Sequence, residues 1–434
     1  MAAGARGAGL GAGHGALAIG PLSAAEAVRL ILAEVARQPP LRMPLDDALG
    51  CVLAESAISP LDIPAHTNSA MDGYAVRAED VRGATSARPR TLRVVEELPA
   101  GQFPARALGP DECARIFTGA PLPVGADSVI RQEDTDGGEQ VVRVLADRDT
   151  GHNIRHAGED LRAGQPALAG DTELGPAQLG VLASIAVANP VVYRRPRVAI
   201  LGSGDEIAEL DRADEILSGR KVASSNSHTL AALVRVTGGI PVRLGIAGDA
   251  PESLRAHIER ANDCDLLVTT AGISVGRHDH LRAVITAMGG ELRFWKLRMR
   301  PGAPVGFGRV LGLPWIGLPG NPVSAMVTFE LFVRPALRKM MGHPLPFRRA
   351  VPVRTAEPIR VGARLQHFLR AVVSESGDGL AAALTGAQGS GILTSMAKAN
   401  ALLVIPEGQP DTPKGATVNA LRLDEVVHRE DPPF

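Results

Sequence analysis

Loops of small residues follow three short apolar segments of the chain, and they are the first candidates for a ligand site. The three loops span residues 202–207, 269–276 and 317–322. Because small side chains leave backbone N–H groups exposed, such loops form nests that bind anions. The third loop is expected to open a helix, with Asn321 as its N-cap, Pro322 at the first position and Ser324 in the first turn. The free N–H groups of that helix end suit a phosphate or another oxyanion.

Carboxylates accompany the first two loops. Asp205 and Glu206 follow the first apolar segment, and Asp279 follows the second. Because Mg²⁺ binds one or two carboxylates together with phosphate oxygens, these side chains could hold the metal beside a bound phosphate. Asp249 is a further candidate, although Glu252 three residues later explains it equally well as a helix N-cap.

A basic segment precedes the third loop. The alternation of residues 293–300 predicts a strand with Lys296, Arg298 and Arg300 on one face and apolar side chains on the other. Fixed cations beside a helix N-terminus would bind a phosphate or a tetrahedral oxyanion. A solvated basic face on an edge strand explains the same pattern without any ligand.

Several other chemistries are not supported. The sequence has no GxxxxGKS/T loop, no GxGxxG after a predicted strand and no GxSxG between a strand and a helix. The pair His278 and His280 is weak evidence for zinc. The net charge of −1 and the 3% share of aromatic residues argue against a nucleic-acid partner. No apolar run reaches the roughly 18 residues of a membrane span.

The cysteines and the first 20 residues indicate in which cellular compartment the protein is expected. Cys51, Cys113 and Cys264 have no metal-binding spacing and are expected to be buried free thiols of a cytoplasmic protein. The first 20 residues lack the dense apolar core of a signal peptide, and we expect them to form a disordered Gly/Ala tail.

The elements that must position the candidate residues change in character along the chain. Ser23 and Glu26 form a capping-box pattern, which predicts a helix, and short strands with a hairpin over 128–144 are predicted farther on. From residue 197 to 342 apolar strands alternate with helices, which predicts a doubly wound parallel α/β sheet. Beyond Pro344 we expect a small all-β C-terminal domain.

Ten segments, taken in order, resemble a single family. They are residues 68–75, 115–127, 153–155, 158–160, 202–206, 225–227, 272–276, 300–302, 317–325 and 399–401. Their residues and their order resemble the MoeA / gephyrin E-domain family, the molybdopterin molybdotransferases. The most specific segments are NSAMDGYA from residue 68 and GLPGNPVSA from residue 317.

The resemblance implies a reaction and an architecture. Members insert molybdate into adenylylated molybdopterin and release AMP, which forms molybdenum cofactor, and Mg²⁺ is the expected cofactor. They resemble elongated homodimers of α/β multidomain chains. Their central doubly wound subdomain is similar to the fold of the molybdopterin adenylyltransferase, itself a candidate partner. A scaffold paralogue with weakened catalysis and a tungstate-handling insertase are the alternatives.

The same resemblance implies a division of the chain. After the tail of residues 1–20, the expected parts are a linker and dimerisation subdomain (21–60 and 141–189), a β-rich inserted subdomain (61–140), an α/β molybdopterin-binding subdomain (190–345) and a C-terminal β subdomain (346–434).

Roles for individual residues also follow from the resemblance. The expected catalytic residues are Asp279, Glu206, Asp72 and Lys296. The expected substrate-binding residues are Thr118, Asp205, Ser274, Arg300, Ser324, Arg370 and Ser390. The expected metal ligands are Glu206, Asp249 and Asp279.

Two departures from the family pattern concern positive charge. Ala303 stands where a lysine is common, and Arg277 stands where an acidic residue is usual. Loss of one fixed cation would cost about 1.5–3 kcal/mol of charge-assisted hydrogen bonding to an oxyanion, unless Arg277 replaces it from another direction.

Overall fold

The computed structural model describes residues 20–271, 280–377 and 379–424. Its α-helices are α1 Ala24–Glu34, α2 Ala78–Val81, α3 Pro176–Ser184, α4 Ala213–Leu217, α5 Ser225–Thr237, α6 Pro251–Glu259, α7 His280–Ala287, α8 Pro322–Thr328, α9 Arg334–Met340 and α10 Leu393–Lys398. Its strands are β1 Pro40–Arg42, β2 Ala57–Ile58, β3 Asn68–Ser69, β4 Gly73–Val76, β5 Thr85–Leu98, β6 Glu112–Ile116, β7 Ser128–Arg131, β8 Val141–Ala146, β9 Ile154–Arg155, β10 Pro166–Leu168, β11 Val191–Tyr193, β12 Arg197–Ser203, β13 Ile207–Ala208, β14 Val222–Ala223, β15 Ile240–Ala247, β16 Leu266–Thr270, β17 Glu291–Phe294, β18 Met299–Arg300, β19 Gly306–Val310, β20 Leu313–Leu318, β21 Ala350–Thr355, β22 Ile359–Arg360, β23 Gln366–Ser376, β24 Gly379–Leu384, β25 Ala401–Ile405, β26 Asp411–Thr412 and β27 Thr417–Arg422.

The chain divides into two compact units. The N-terminal unit comprises residues 42–49 and 55–190. The C-terminal unit comprises the described parts of residues 1–41, 50–54 and 191–434.

A five-stranded sheet in the order β7-β4-β6-β5-β8 forms the centre of the N-terminal unit. Successive side chains of β4 point to opposite faces of this sheet. Tyr74 and Val76 therefore join one buried cluster, and Ala75 joins another on the opposite face. Both faces of the sheet are thus covered by apolar side chains.

The predicted hairpin over residues 128–144 is wrong. Strand β7 pairs with β4 and strand β8 pairs with β5, so the two strands lie at opposite edges of the sheet. The turn itself forms, because the Asp136 N–H donates to the Arg143 carbonyl at 3.1 Å. A turn pattern specifies local geometry only, whereas strand partners are selected by the packing of the whole sheet.

The C-terminal unit contains the predicted doubly wound α/β sheet. Its strand order is β15-β12-β16-β20-β19-β17, and the first four strands run parallel. Buried apolar residues cover both faces, with α5, α8 and α9 on one side and α6 and α7 on the other. Because the chain moves from β12 to β15 and then across to β16, the order reverses beside β12. Ligands of such sheets bind at this switch point, outside the carboxyl ends of the strands.

Helix ends in this unit largely follow the sequence. The capping box at Ser23 and Glu26 is confirmed at the start of α1. Helix α5 ends at Gly238, whose φ of 101° suits a residue without a side chain. The helix predicted to follow the third loop is interrupted, since α8 and α9 are joined by a π-helical segment over Phe329–Val333.

The basic segment does not form the single strand that its alternation predicts. Residues of β17 pair with β19 in the α/β sheet, whereas β18 pairs with β23 in a different sheet. Leu297 and Met299 are buried and Lys296 and Arg300 are exposed, so the alternation of faces holds between the two strands. The segment therefore passes from one sheet to the other.

The C-terminal β-rich part closes into a small barrel. Its strands follow the order β23-β24-β21-β27-β25, and β25 pairs back with β23. Val353, Leu369 and Leu403 belong to its buried core. The expectation of a small β domain is confirmed, with the short helix α10 as an addition.

The three cysteines are free and buried, as predicted. Within the described residues, the helices are all too short or too polar to cross a membrane.

Candidate functional site

A cavity of about 580 Å³ lies where the sequence places the candidate loops, at the carboxyl ends of β12, β16 and β20. We call it the sheet-edge cavity. Its described lining residues are Gly202, Ser203, Glu206, Ile207, Val222, Ala223, Ser224, Ser225, Asn226, Thr270, Ala271, Pro304, Pro319, Gly320, Asn321, Pro322 and Gly391. Among these lining residues no side chain is cationic, so anion binding here depends on backbone N–H groups.

Two helices begin at this cavity. Helix α5 starts at Ser225 and α8 starts at Pro322, and the residues at both starts line the cavity. The first N–H groups of a helix have no partner within the helix and carry partial positive charge. Asn321 is the N-cap of α8 as predicted, but its side chain makes no capping hydrogen bond. The N–H groups at the start of α8 are thus left without a side-chain cap.

Glu206 supplies the carboxylate of the sheet-edge cavity. Gly204 has a φ of 130°, and a Cβ at this position would lie 2.5 Å from a Glu206 carboxylate oxygen. A side chain at position 204 would therefore be strained and would displace the Glu206 carboxylate from its place beside the end of β12. Within the described residues, the Glu206 carboxylate has no hydrogen-bond or ion-pair partner, and its side chain is exposed to the cavity.

Asp205 and Asp249 lie apart from this carboxylate. Asp205 lines a different cavity, and its Oδ1 accepts a hydrogen bond from the Asp249 N–H at 3.3 Å. The prediction of Asp249 as a helix N-cap is wrong, because α6 begins after Ala250 and has no side-chain cap. Pro251 already occupies the first helical position without an N–H to satisfy.

The described residues fit a magnesium ion only in part. They include no group of three histidine, cysteine, aspartate or glutamate side chains placed to hold a metal. Mg²⁺ needs only one or two carboxylates when a substrate phosphate supplies further oxygens. The unpartnered Glu206 meets that requirement, whereas Asp249 is not among the described residues that line the cavity.

Residues 386–392 connect the barrel to the sheet-edge cavity, and we call them the 386–392 loop. The Ser390 carbonyl accepts from the Val323 N–H at 3.2 Å, and the Asn321 amide donates to the Ser390 Oγ at 3.0 Å. Gly391 lines the sheet-edge cavity. Ser390 thus lies against the first turn of α8, which places it beside the predicted oxyanion-binding helix end.

A second cavity of about 600 Å³ lies on the other side of this loop, and we call it the barrel cavity. Arg300, Arg360, Arg370 and Gly389 are among its lining residues. Arg360 forms an exposed ion pair with Asp411 at 3.6 Å. Arg300 is exposed and has no hydrogen-bond or ion-pair partner among the described residues. The barrel cavity therefore carries the positive charge that the sheet-edge cavity lacks.

Arg370 is fully buried. Its guanidinium donates to the Ser395 Oγ at 2.8 Å and to the carbonyls of Gln388, Ala387 and Gly389 at 3.1–3.2 Å. No carboxylate of the described residues contacts it, and burial lowers the pKa of this guanidinium. An arginine in a protein stays protonated, so the loop is held around a buried charge without a counter-ion.

Lys296 and Ser324 are among the predicted site residues that line neither cavity. Lys296 is exposed and is absent from the lining of both cavities, and Ser324 is buried within the first turn of α8. Arg298, on the same predicted basic face, pairs with Glu407 at 3.2 Å. The structure thus places only Arg300 of the three basic side chains beside a cavity.

Asp72 and Thr118 meet in the N-terminal unit. The Thr118 N–H and Oγ1 both donate to Asp72 Oδ1, at 2.8 and 2.7 Å. These two hydrogen bonds, the backbone one first, hold the pKa of the Asp72 carboxyl below its usual value. The two motifs that carry these residues are therefore joined by a side-chain contact.

Replacing Thr118 by valine should raise the Asp72 pKa towards its ordinary value, because the hydroxyl donor is lost. Since the folded pKa lies below the unfolded one, the contact stabilises the fold at neutral pH, and this contribution disappears as the pH falls through the folded pKa. Carbon-detected NMR titration of Asp72 measures the shift, and Thr118→Ser is the control that keeps the donor. Equal Asp72 pKa values in all three proteins would contradict the assignment.

Asp279 and Ser274 lie outside the described residues, as do Arg277 and His278. Their predicted roles therefore remain predictions.

Sequence reasoning missed two residues of the cavities. Arg360 carried no signal, because an isolated arginine in a β-rich segment is usually solvated. Asn226 was within a family segment without a role, yet it lines the sheet-edge cavity and donates to the Gly320 carbonyl at 2.7 Å. Its position one residue into α5 was the available signal.

The doubly wound sheet with its cavity at the switch point, joined to a cationic barrel, defines a class of multidomain ligand-binding protein. Residues 22–186 match the MoeA N-terminal region (domain I and II), residues 199–339 a probable molybdopterin binding domain, and residues 352–423 the MoeA C-terminal region (domain IV).

Individual proteins agree with these matches. Molybdopterin molybdenumtransferase 2 of Mycobacterium tuberculosis is 39% identical over 401 residues, which cover 91% of this chain and 98% of that protein. The molybdopterin molybdenumtransferase of a Nostoc species is 36% identical over 383 residues, 87% of each chain. A crystal structure of the molybdopterin biosynthesis MoeA protein from Pyrococcus horikoshii superposes with a TM-score of 0.78 at 30% identity, covering 92% of this chain and 99% of that one. The chain belongs to the MoeA family.

Proposed function

We propose that the chain is a molybdopterin molybdenumtransferase, which inserts molybdate into adenylylated molybdopterin and releases AMP. One observation carries the proposal for this chain. A buried, uncompensated arginine and an unpartnered exposed arginine line one cavity, and two helix N-termini open into another across a single loop. Such a pair of cavities suits a small oxyanion and a phosphorylated ligand bound side by side.

The phosphate groups belong, in this proposal, to the sheet-edge cavity. Backbone N–H groups at the start of α5 would donate to the phosphate oxygens. In α8, Pro322 has no N–H and the Val323 N–H already donates to the Ser390 carbonyl, so that helix offers the N–H of Ser324. Negative charge builds up on these oxygens as the phosphoanhydride breaks, and fixed donors stabilise it without reorganisation. The lack of cationic lining side chains makes these N–H groups the chief positive charge supplied by the described residues.

Mg²⁺ is the proposed cofactor, with Glu206 as its ligand in the described residues and Asp279 as a further candidate. When bound, the ion would neutralise phosphate charge. The free carboxylate of Glu206, which lies over the end of β12, supports this assignment. Asp205 is proposed to position the loop rather than the metal, because its carboxylate already accepts a backbone N–H.

In this proposal, molybdate binds in the barrel cavity and at its rim. Arg300 can donate directly to the oxyanion, while Arg370 contributes charge and holds the 386–392 loop. An oxyanion here would supply the counter-ion that the buried guanidinium lacks. Ser390, in the 386–392 loop, is proposed to lie at the rim, and Lys296 to draw the anion in from solvent. Ser324, which is buried in the first turn of α8, is proposed to contribute its backbone N–H.

Three further parts of the proposal rest on family resemblance. We propose that the chain acts as a cytoplasmic homodimer, that Asp72 and Thr118 take part in the reaction, and that the adenylyltransferase delivers the substrate. Light scattering at several protein concentrations tests the dimer, and a uniformly monomeric mass would exclude it.

The reaction is tested with purified chain, adenylylated molybdopterin, Mg²⁺ and molybdate. We expect release of AMP and a product that activates a molybdenum-free apo-molybdoenzyme. A family enzyme from another species, assayed in parallel, verifies the substrate. If that enzyme releases AMP and this chain does not, the proposal fails.

Replacing Ala303 by lysine should strengthen molybdate binding. Ala303 lies between Pro301, which lines the barrel cavity, and Pro304, which lines the sheet-edge cavity. A new charge-assisted hydrogen bond is worth about 1.5–3 kcal/mol, roughly 10- to 100-fold in affinity.

Equilibrium binding of molybdate measures the effect of this substitution. Ala303→Met, which adds a side chain of similar length without charge, is the matched control. Equal affinity in Ala303→Lys and the wild type would show that a cation already fills this role.

A further inference from the structure

One buried polar atom in the described lining of the sheet-edge cavity has no hydrogen-bond partner. The Asn226 side chain lines the cavity, and its Oδ1 is buried without a hydrogen bond. The orientation of the amide is determined by its other end, because Nδ2 donates to the Gly320 carbonyl at 2.7 Å. Rotating the amide by 180° would set two carbonyl oxygens against each other. The buried oxygen is therefore an acceptor held in place and left unsatisfied.

The chemistry of Oδ1 excludes the charged parts of the proposed substrate. An amide oxygen carries partial negative charge and only accepts hydrogen bonds. Phosphate and molybdate oxygens are acceptors as well at neutral pH, so they would leave this atom unsatisfied and would be repelled by it. Its partner must be a hydrogen-bond donor or a cation, and the N–H and O–H groups of the substrate are the candidates among its organic parts.

The surface beside Asn226 is apolar. Strands β13 and β14 pair in parallel, and their residues Ile207, Val222 and Ala223 line the same cavity. Val222 leaves 59% of its surface exposed. An exposed apolar surface next to a fixed acceptor suits a planar heterocycle, which stacks by its face and donates from its edge.

Resting on the proposed function, we propose that Ile207, Val222, Ala223 and Asn226 form a heterocycle-binding wall, in which Asn226 Oδ1 accepts from the exocyclic amino group of the ring. Adenylylated molybdopterin contains two heterocycles with such donors, adenine and the pterin. The shared chemistry is the N–H donor, and Asn226 acts as a specificity-determining residue for whichever ring lies there.

The test measures binding of five probes to the wild type and to Asn226→Ala. The probes are AMP, purine riboside 5′-monophosphate, 6-hydroxymethylpterin phosphate, the corresponding lumazine phosphate and inorganic phosphate. Purine riboside 5′-monophosphate lacks the exocyclic amino group of AMP, and the lumazine phosphate lacks that of the pterin phosphate. We expect the loss of that group to weaken binding to the wild type about 3- to 10-fold for one ring. In Asn226→Ala, the two probes of that pair should bind with equal affinity, because the acceptor for the amino group is gone.

We call the dependence of the affinity difference within a probe pair on Asn226 the coupling. The probe pair that shows the coupling identifies the ring as adenine or pterin. Ser225→Ala, which removes a polar side chain next to Asn226 in the cavity lining but outside the wall, is the matched control and should keep the coupling. Asn226→Ser provides a second variant if alanine at this position lowers thermal stability. Equal weakening of every probe, including inorganic phosphate, would assign Asn226 to loop positioning and overturn the proposal, as would no weakening at all. AMP release by the wild type is measured separately, so a missing coupling does not count against the transferase reaction.

Discussion

Replacing Glu206 by glutamine is expected to reduce the rate of AMP release at least a hundredfold while the fold is kept. The carboxylate has no partner among the described residues that its loss would disturb, and Gly204 leaves room for an amide of the same size. A glutamine oxygen is a poor magnesium ligand, and it does not offset the charge of a metal–phosphate complex. A hundredfold loss corresponds to about 2.7 kcal/mol of transition-state stabilisation.

Single-turnover kinetics at saturating substrate measures this effect. Glu252→Gln is the matched control, since Glu252 is an exposed carboxylate in the first turn of α6 and lies outside the described lining of the sheet-edge cavity. Rising Mg²⁺ concentration should restore part of the rate in Glu206→Gln. Normal turnover in Glu206→Gln would remove this residue from the mechanism.

Replacing Arg370 by methionine should destabilise the C-terminal unit by about 3 kcal/mol and weaken molybdate binding. The substitution leaves three loop carbonyls and the Ser395 hydroxyl without their donor. Each buried acceptor left unsatisfied costs about 1–3 kcal/mol, part of which the loop can recover by moving. The loss of the buried charge also removes an attraction for the oxyanion.

Urea denaturation measures the stability, and the KM for molybdate measures the anion effect. Arg360→Met is the control for the stability measurement, because its exposed ion pair with Asp411 is worth less than about 1 kcal/mol. Arg370→Lys should recover part of the molybdate affinity but little of the stability, since an ammonium cannot reach all four acceptors. Unchanged stability in Arg370→Met would contradict the proposed role of this side chain in holding the loop.

The position of the sheet-edge cavity was predictable, because apolar strands that end in small residues identify the carboxyl edge of a parallel sheet. Glu206 and Asn321 were found in this way. The split of the basic segment was not predictable, since β18 pairs with β23 more than sixty residues away and no local pattern specifies that partner.

The burial of the charged side chain of Arg370 was also not predictable from the sequence. Arginine is rarely fully buried without an acidic partner, so Arg370 read as an anion contact rather than as the centre of a hydrogen-bonded loop. The role of Asn226 was not predictable either. Its Oδ1 is a free acceptor only because its Nδ2 donates to the Gly320 carbonyl, and the sequence does not show that contact.

The 386–392 loop has a thermodynamic consequence. Because Gly389 lines one cavity and Gly391 the other, a ligand in either cavity acts on the same few peptide groups. Whatever factor the oxyanion imposes on the affinity for the phosphorylated ligand, that ligand imposes on the affinity for the oxyanion. Any coupling between the two proposed ligands is therefore described by one shared free energy, regardless of which binds first.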